Sequence, residues 1–277
     1  MTLTDEIKNV IAVHAKTVEP DDCIGVILRG KDGVETKTIT NISAQARYHC
    51  FIEYDEIVKT CGDKEILAVY HSHRDGKDFS LEDKAVSEQI KTKLILYNSY
   101  NKSFKIYTPN GFIAPYIDRP WRQGIFTCVD LIIDYYKKEL GIHICGWEME
   151  ELDVEPQDRN HFDNLKLKYF DLGVFHSKGH TDEIYRKYVL REANNQRYLK
   201  FFLKNGFKTV KDIKTHDVLL TKAGDETQQI NYAAHGSIFL GDNKLLHHSY
   251  RRRSCVESFS NGFKCSLRYI LRHESLL

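Results

Sequence analysis

Two groups of residues in this 277-residue chain have the types and spacing to do chemistry. The first is His71-Ser72-His73, separated by six residues from Ser80, with Asp83 three further on. Side chains along a strand alternate, so histidines at i and i+2 point the same way. With an Asp on the first turn of the next helix they make a three-ligand face for zinc, leaving the fourth tetrahedral position to water. Water bound to zinc ionises near pH ~7 and becomes a nucleophile. A plainer reading is compatible with this one: Ser-x-x-Asp opens helices as a capping box, and paired histidines on a strand can be polar surface.

The second group is Cys128, His235 and His247. Cys128 opens an amphipathic stretch, where the positive end of a helix dipole and unpaired backbone N–H groups favour thiolate. His235 begins a strand signal, and His247 lies twelve residues on, past a Gly241-Asp242-Asn243 turn. Antiparallel pairing would set the second imidazole beside the first and orient it, as the third member of a triad does. The counterweight is numerical. A chain with 7 Cys and 13 His supplies many such pairs, and a cysteine is more often buried and inert.

Composition narrows the classes. The chain carries 40 basic and 39 acidic residues, a formal charge of +1, whereas a dedicated nucleic-acid binder is strongly basic. Arg251-Arg252-Arg253 is the one dense basic cluster and reads as a solvated loop. No run approaches the ~20 apolar residues of a membrane span. Residues 1–20 have neither an apolar core nor a small-residue cleavage site, so the chain is expected to be made and folded in the cytosol. The odd number of cysteines, with no C-x-x-C pair, offers neither a disulfide framework nor a thiolate zinc finger. Any metal is therefore to be sought among His and carboxylates.

The elements that must position these groups fall into two blocks, as the length suggests. Residues 1–108 predict an α/β domain: a helix over 5–16, strands at 23–28, 35–42 and 66–70, a helix over 80–90, and strands near 94–97 and 104–107. Residues 108–121 hold Pro109, Gly111, Pro115 and Pro120, which predicts a linker over 109–121. Residues 122–277 predict an α+β domain: an amphipathic helix over 126–140 stopped by Gly141, an irregular insertion over 147–182, a helix over 184–203, and strands at 217–221, 237–240 and 245–248.

The string His71-x-His73, Ser80-x-x-Asp83 resembles the signature of the JAMM (MPN-domain) metallopeptidases. The resemblance implies that His71, His73 and Asp83 hold Zn2+ and that Ser80 stabilises the oxyanion. It also implies a carboxylate base in an upstream Glu-x-x-Gly strand, which here reads Asp22-Cys23-Ile24-Gly25. Three positions depart from the family: the His73 to Ser80 gap is one residue short, Arg74 replaces a Pro, and Asp22 is one methylene shorter than Glu. A misplacement of ~1 Å can cost a hundredfold in rate, so zinc binding can outlast turnover.

Pro120-Trp121, Gly124, Cys128-x-x-Leu131, Tyr135-Tyr136, Glu139-Leu140-Gly141-Ile142, Asp217-Val218-Leu219-Leu220 and the run from His235 to His248 resemble the NlpC-type, papain-like cell-wall peptidases. The resemblance implies Cys128 as nucleophile, His235 as base, His247 or the adjacent His248 as its orienting residue, and Tyr116 near the oxyanion site, with no cofactor. Thr127 and His216 stand where that family has Asp and Gly. Both motifs in this order resemble the tail assembly proteins of lambda-type phages. That implies a tail-tip protein assembled in the host cytoplasm with other tail-tip and hub proteins and acting at the host periplasm. Its substrate would be the γ-D-glutamyl to diamino-acid bonds of peptidoglycan. Two other functions stay open: a structural hub or assembly factor, and a JAMM-dependent processing peptidase for another tail protein.

Overall fold

A computed structural model describes residues 2–43, 46–50, 52, 54–122, 125–145, 196–222, 233–250 and 252–277. The chain is an α/β protein of two compact units, the first formed among the described residues by those up to Ala114 together with Ile125, the second by the rest from Pro115 onward.

The first unit runs α1 (Asp5–Thr17), β1 (Ile24–Gly30), β2 (Gly33–Ile39), α2 (Tyr54–Cys61), β3 (Glu65–His73), α3 (Leu81–Ile90), β4 (Lys93–Asn98) and β5 (Ser103–Tyr107). Its five strands lie in the order β2-β1-β3-β4-β5. All neighbours are antiparallel except β3 and β4, which are parallel and joined through α3. Thr4 caps α1, and Ile7, Ile11 and Ala15 recur at helical spacing to bury one face against Ile27, Ala68, Tyr70 and Ile95. The alternate residues Ile24, Val26 and Leu28 fill the other face with Val69, Leu94 and Cys61. Alternation along β1 thus serves two apolar layers at once, which requires a nearly continuous apolar run.

The second unit runs α4 (Cys128–Glu139), α5 (Arg197–Lys204), β6 (Phe207–Val210), β7 (Val218–Lys222), β8 (Ala233–Gly241), β9 (Lys244–His247), β10 (Cys255–Ser258), α6 (Asn261–Ser266) and β11 (Leu267–His273). Its sheet, ordered β10-β9-β8-β7-β11-β6, is antiparallel throughout. Leu131, Ile132, Tyr135 and Tyr136 of α4 pack on Val218, Leu220 and Ile238, while Leu219, Leu245 and Phe259 line the opposite face. Gly236 allows the close approach of α4 to β8, since a Cβ there would stand 2.9 Å from Ile132 Cδ1.

The proline-rich stretch contains no helix or strand, yet it is tied down at both ends. Glu88 accepts hydrogen bonds from the backbone of Asn110 and Gly111. Arg119, fully buried in the second unit, bonds Asp134 at 2.7 Å and the Pro115 carbonyl at 2.7 Å. The expected insertion over 147–182 lies outside the described residues, as does the first part of the helix expected over 184–203. Among the described residues no helix is long and apolar enough to cross a membrane.

Candidate functional site

Strand β3 carries His71 and His73 to its end, and α3 begins at once beyond the turn with Ser80 as its N-cap and Asp83 in its first turn. The three side chains converge. His71 Nε2 and His73 Nε2 are 3.2 Å apart, His71 Nε2 is 3.3 Å from Asp83 Oδ1, and His73 Nε2 is 3.6 Å from Asp83 Oδ2. Zinc–donor bonds of about 2.0–2.2 Å at tetrahedral angles place donors about 3.3–3.5 Å apart, so this group could hold such an ion. Burial pushes the Asp83 carboxyl up, but His71 and His73 overcome it and hold the group well below the usual range. Burial lowers His71 while Asp83 and then Asp22 outweigh it, leaving that imidazole raised; His73 is lowered by burial and by His71.

The capping box and the three-donor cluster coexist. Asp83 Oδ2 accepts from the Ser80 N–H at 2.7 Å, and Ser80 Oγ accepts from the Asp83 N–H at 3.0 Å. Ser72, on the opposite side of the strand from the two histidines by alternation, reaches Asp22. Its hydroxyl donates to Asp22 Oδ1 at 3.2 Å and accepts from the Cys23 N–H at 2.9 Å. Burial raises the Asp22 carboxyl to about 7 against the opposing pull of Ser72 and His71. A buried carboxyl that titrates near neutrality has the proton affinity a general base needs. Gly25 has a packing cause: a Cβ there would meet the Lys37 carbonyl oxygen at 2.3 Å and Tyr70 Oη at 2.4 Å. Arg74 forms an ion pair with Glu19 at 2.9 Å.

In the second unit β8 and β9 pair in the register Ser237 to His247, which brings His235 Nε2 to 3.1 Å from His247 Nδ1. His248 follows just past the end of β9, with both of its ring nitrogens buried. The ring contact selects His247 as the hydrogen-bond neighbour of His235. Cys128 is the first residue of α4, capped by Thr127. The backbone N–H of Gly236, next to His235, and the hydroxyl of Tyr198 lie near enough to the Cys128 sulfur to favour the thiolate. The thiol differs from the activated one expected at a helix start. Burial, with the Asp130 carboxylate, pushes it up to about 11 despite those two neighbours. Burial and the neighbouring His247 and His248 depress His235 to about 3.

Tyr116 is placed elsewhere. Its hydroxyl donates to Glu139 at 3.0 Å, in the last turn of α4. At ~1.5 Å rise per residue that lies about 16 Å along the helix from Cys128. The tyrosine at the thiol is Tyr198 on α5, which no spacing relative to Cys128 would single out. Glu257 is the other residue that sequence reasoning passed over: on β10 its Oε2 lies 3.6 Å from His247 Nε2. Only the pairing of β10 with β9 brings it there.

These features define an α/β protein with one converging cluster of imidazoles and carboxylate in its first unit and, in its second, a His235–His247 pair on the hairpin whose Gly236 packs against α4, the helix that Cys128 opens. No protein-family model matches the chain. It is similar to the tail tip assembly protein K of Escherichia phage N15, with 22% identity over 143 residues. That match covers 51% of this chain and 58% of the relative, so the chain spans little more than half of the protein it resembles. A solution structure of a protein from Salinibacter ruber aligns at a TM-score of 0.27 and 17% identity, covering 39% of this chain and 81% of that one.

Proposed function

We propose that this chain is a phage tail-tip protein that cuts peptidoglycan stem peptides with a cysteine centre in its second unit and holds zinc in its first. The likeness to a tail tip assembly protein supports the setting and makes other tail proteins the expected partners. The observation that carries the peptidase reading is the His235 to His247 contact of 3.1 Å on a hairpin whose Gly236 packs against α4, the helix that Cys128 opens.

In this reading His235 takes the Cys128 proton as the sulfur attacks the amide carbonyl, and returns it to the leaving amine. His247 fixes the tautomer and rotation of His235. On the same reading Tyr198 and the Gly236 N–H, both near the sulfur, would also steady the developing oxyanion. Water then releases the acyl group. His71, His73 and Asp83 would hold the zinc ion, with Asp22 nearby as proton acceptor and Ser80 capping α3. Bound there, zinc supplies an acidified water. The expected bond cut is γ-D-glutamyl to diamino acid, read by mass spectrometry of peptidoglycan fragments. Cys128→Ala should abolish the new fragments, and fragments unchanged in that variant sink the peptidase assignment.

The high pKa of the thiol favours a second reading as an assembly factor. That reading expects the wild type to release no fragments and tails to form normally with Cys128→Ala.

A further inference from the structure

The pairing of β10 with β9 sets Cys255 directly across from His247, and Glu257, two residues on, shares the same face. His247 Nε2 lies 3.6 Å from Cys255 Sγ and 3.6 Å from Glu257 Oε2, and Cys255 Sγ lies 3.5 Å from Glu257 Oε1. Zinc bonds of about 2.3 Å to sulfur and about 2.0–2.2 Å to nitrogen and oxygen, at tetrahedral angles, require donor separations of about 3.4–3.6 Å. The separations from His247 Nε2 to Cys255 Sγ and to Glu257 Oε2 fall at these values, and one ligand atom from each of the three residues lies within 4.8 Å of the others. We propose that His247, Cys255 and Glu257 form a second metal site, at the sheet edge, that takes one soft divalent ion of the zinc class.

The surroundings suit an ion. The His247 ring is buried and braced edge-to-face by Phe263 at 5.3 Å, so one donor is preset. Cys255 and Glu257 are partly exposed on the edge strand, which leaves a path from solvent. Arg252 Nη2 holds Glu257 Oε1 at 3.1 Å, which leaves Oε2 turned to His247. Binding releases the Cys255 proton to solvent as the thiolate forms, so the site exchanges one proton for the ion.

Occupancy has a consequence for His235, and this step rests on the peptidase reading above. An ion on His247 Nε2 forces the ring proton onto Nδ1, where it donates to His235 Nε2. His235 then carries its own proton on Nδ1, and the nitrogen left to accept the thiol proton is lost. The ion is thus a brake on the cysteine centre.

Cadmium is the probe, because its ultraviolet thiolate band is silent at the thiol-free His71, His73, Asp83 cluster. Titrating the full chain with Cd2+ should give a band whose final amplitude corresponds to one thiolate per chain, lost in Cys255→Ser and weakened at least about tenfold in affinity by Glu257→Gln. Nitrogen NMR of labelled histidines should show the His235 proton moving to Nδ1 as the band grows. No band in the wild type, or a band that survives Cys255→Ser, overturns the site; a band with His235 unmoved overturns the brake. None of these readouts depends on peptide cleavage, so a protein that binds Cd2+ but releases no fragments refutes the peptidase reading and leaves the site standing.

Discussion

Burial holds the thiol of Cys128 in its unreactive form, and Asp130 adds to that effect. The Thr127 N–H and hydroxyl bond Asp130 Oδ2 at 2.8 and 2.5 Å, so a carboxylate already occupies the positive end of α4. It offsets the field that would otherwise favour thiolate and adds its own repulsion to the cost of burial. Asp130→Asn removes that negative charge, so the thiolate is opposed less and the Cys128 pKa falls below about 11. Alkylation of Cys128 at pH 8, followed by peptide mass spectrometry, should then quicken by at least about threefold; an unchanged rate denies Asp130 this role. The helix that starts at Cys128 and the hairpin that carries His235 and His247 are legible from spacing because both are local patterns. Whether His247 or His248 faces His235 is not, because one residue of register reverses every side chain. Tyr198 is illegible for another reason: only tertiary packing brings α5 to the start of α4.

Strand β11 shows what an element can hide. Arg272 lies within it, buried, and donates to both oxygens of fully buried Asp217 at 2.9 and 2.8 Å. An inward charge breaks the apolar alternation by which strands are read, so a strand signal over 267–273 is lost although Leu271 is wholly buried. The edge strand β10 escapes similarly, with partly exposed Cys255 and Glu257 on one face and no apolar side to announce it. Elements with clean periodicity, α1, β3 and α4, match their sequence expectations within about three residues at each end. The ion pair also makes a sharp prediction. Arg272→Met strands a buried carboxylate and should cost about 3–5 kcal/mol in urea unfolding. Adding Asp217→Leu removes that charge and should recover part of the loss, limited because Asp217 also accepts from the Lys214 N–H. A double variant less stable than the single one would refute the account.

At the scale of the whole molecule the metal site proposed for the first unit is tested through stability. A ligand that binds only the folded chain stabilises it by about 2.7 kcal/mol at a hundredfold excess over Kd. With Cys255→Ser as background, zinc should therefore raise the Tm of the full chain by several degrees, and a chelator or His71→Ala should cancel the gain. A Tm indifferent to zinc would remove the first cluster from the list of metal sites.

The short β3–α3 connection, which sets His71, His73 and Asp83 together, has a further consequence for synthesis. Every donor of that cluster lies within residues 71–83, and the strands that support it are complete by Tyr107. Chains emerge and fold from the N-terminus. On the zinc reading, a ribosome still translating the second unit already displays the residues that would hold the ion. The hairpin of β8 and β9 and the strand β10, which the proposed cysteine centre and its brake require, are made only later. A chain with both proposed sites would therefore meet its first ion before it could restrain its thiol.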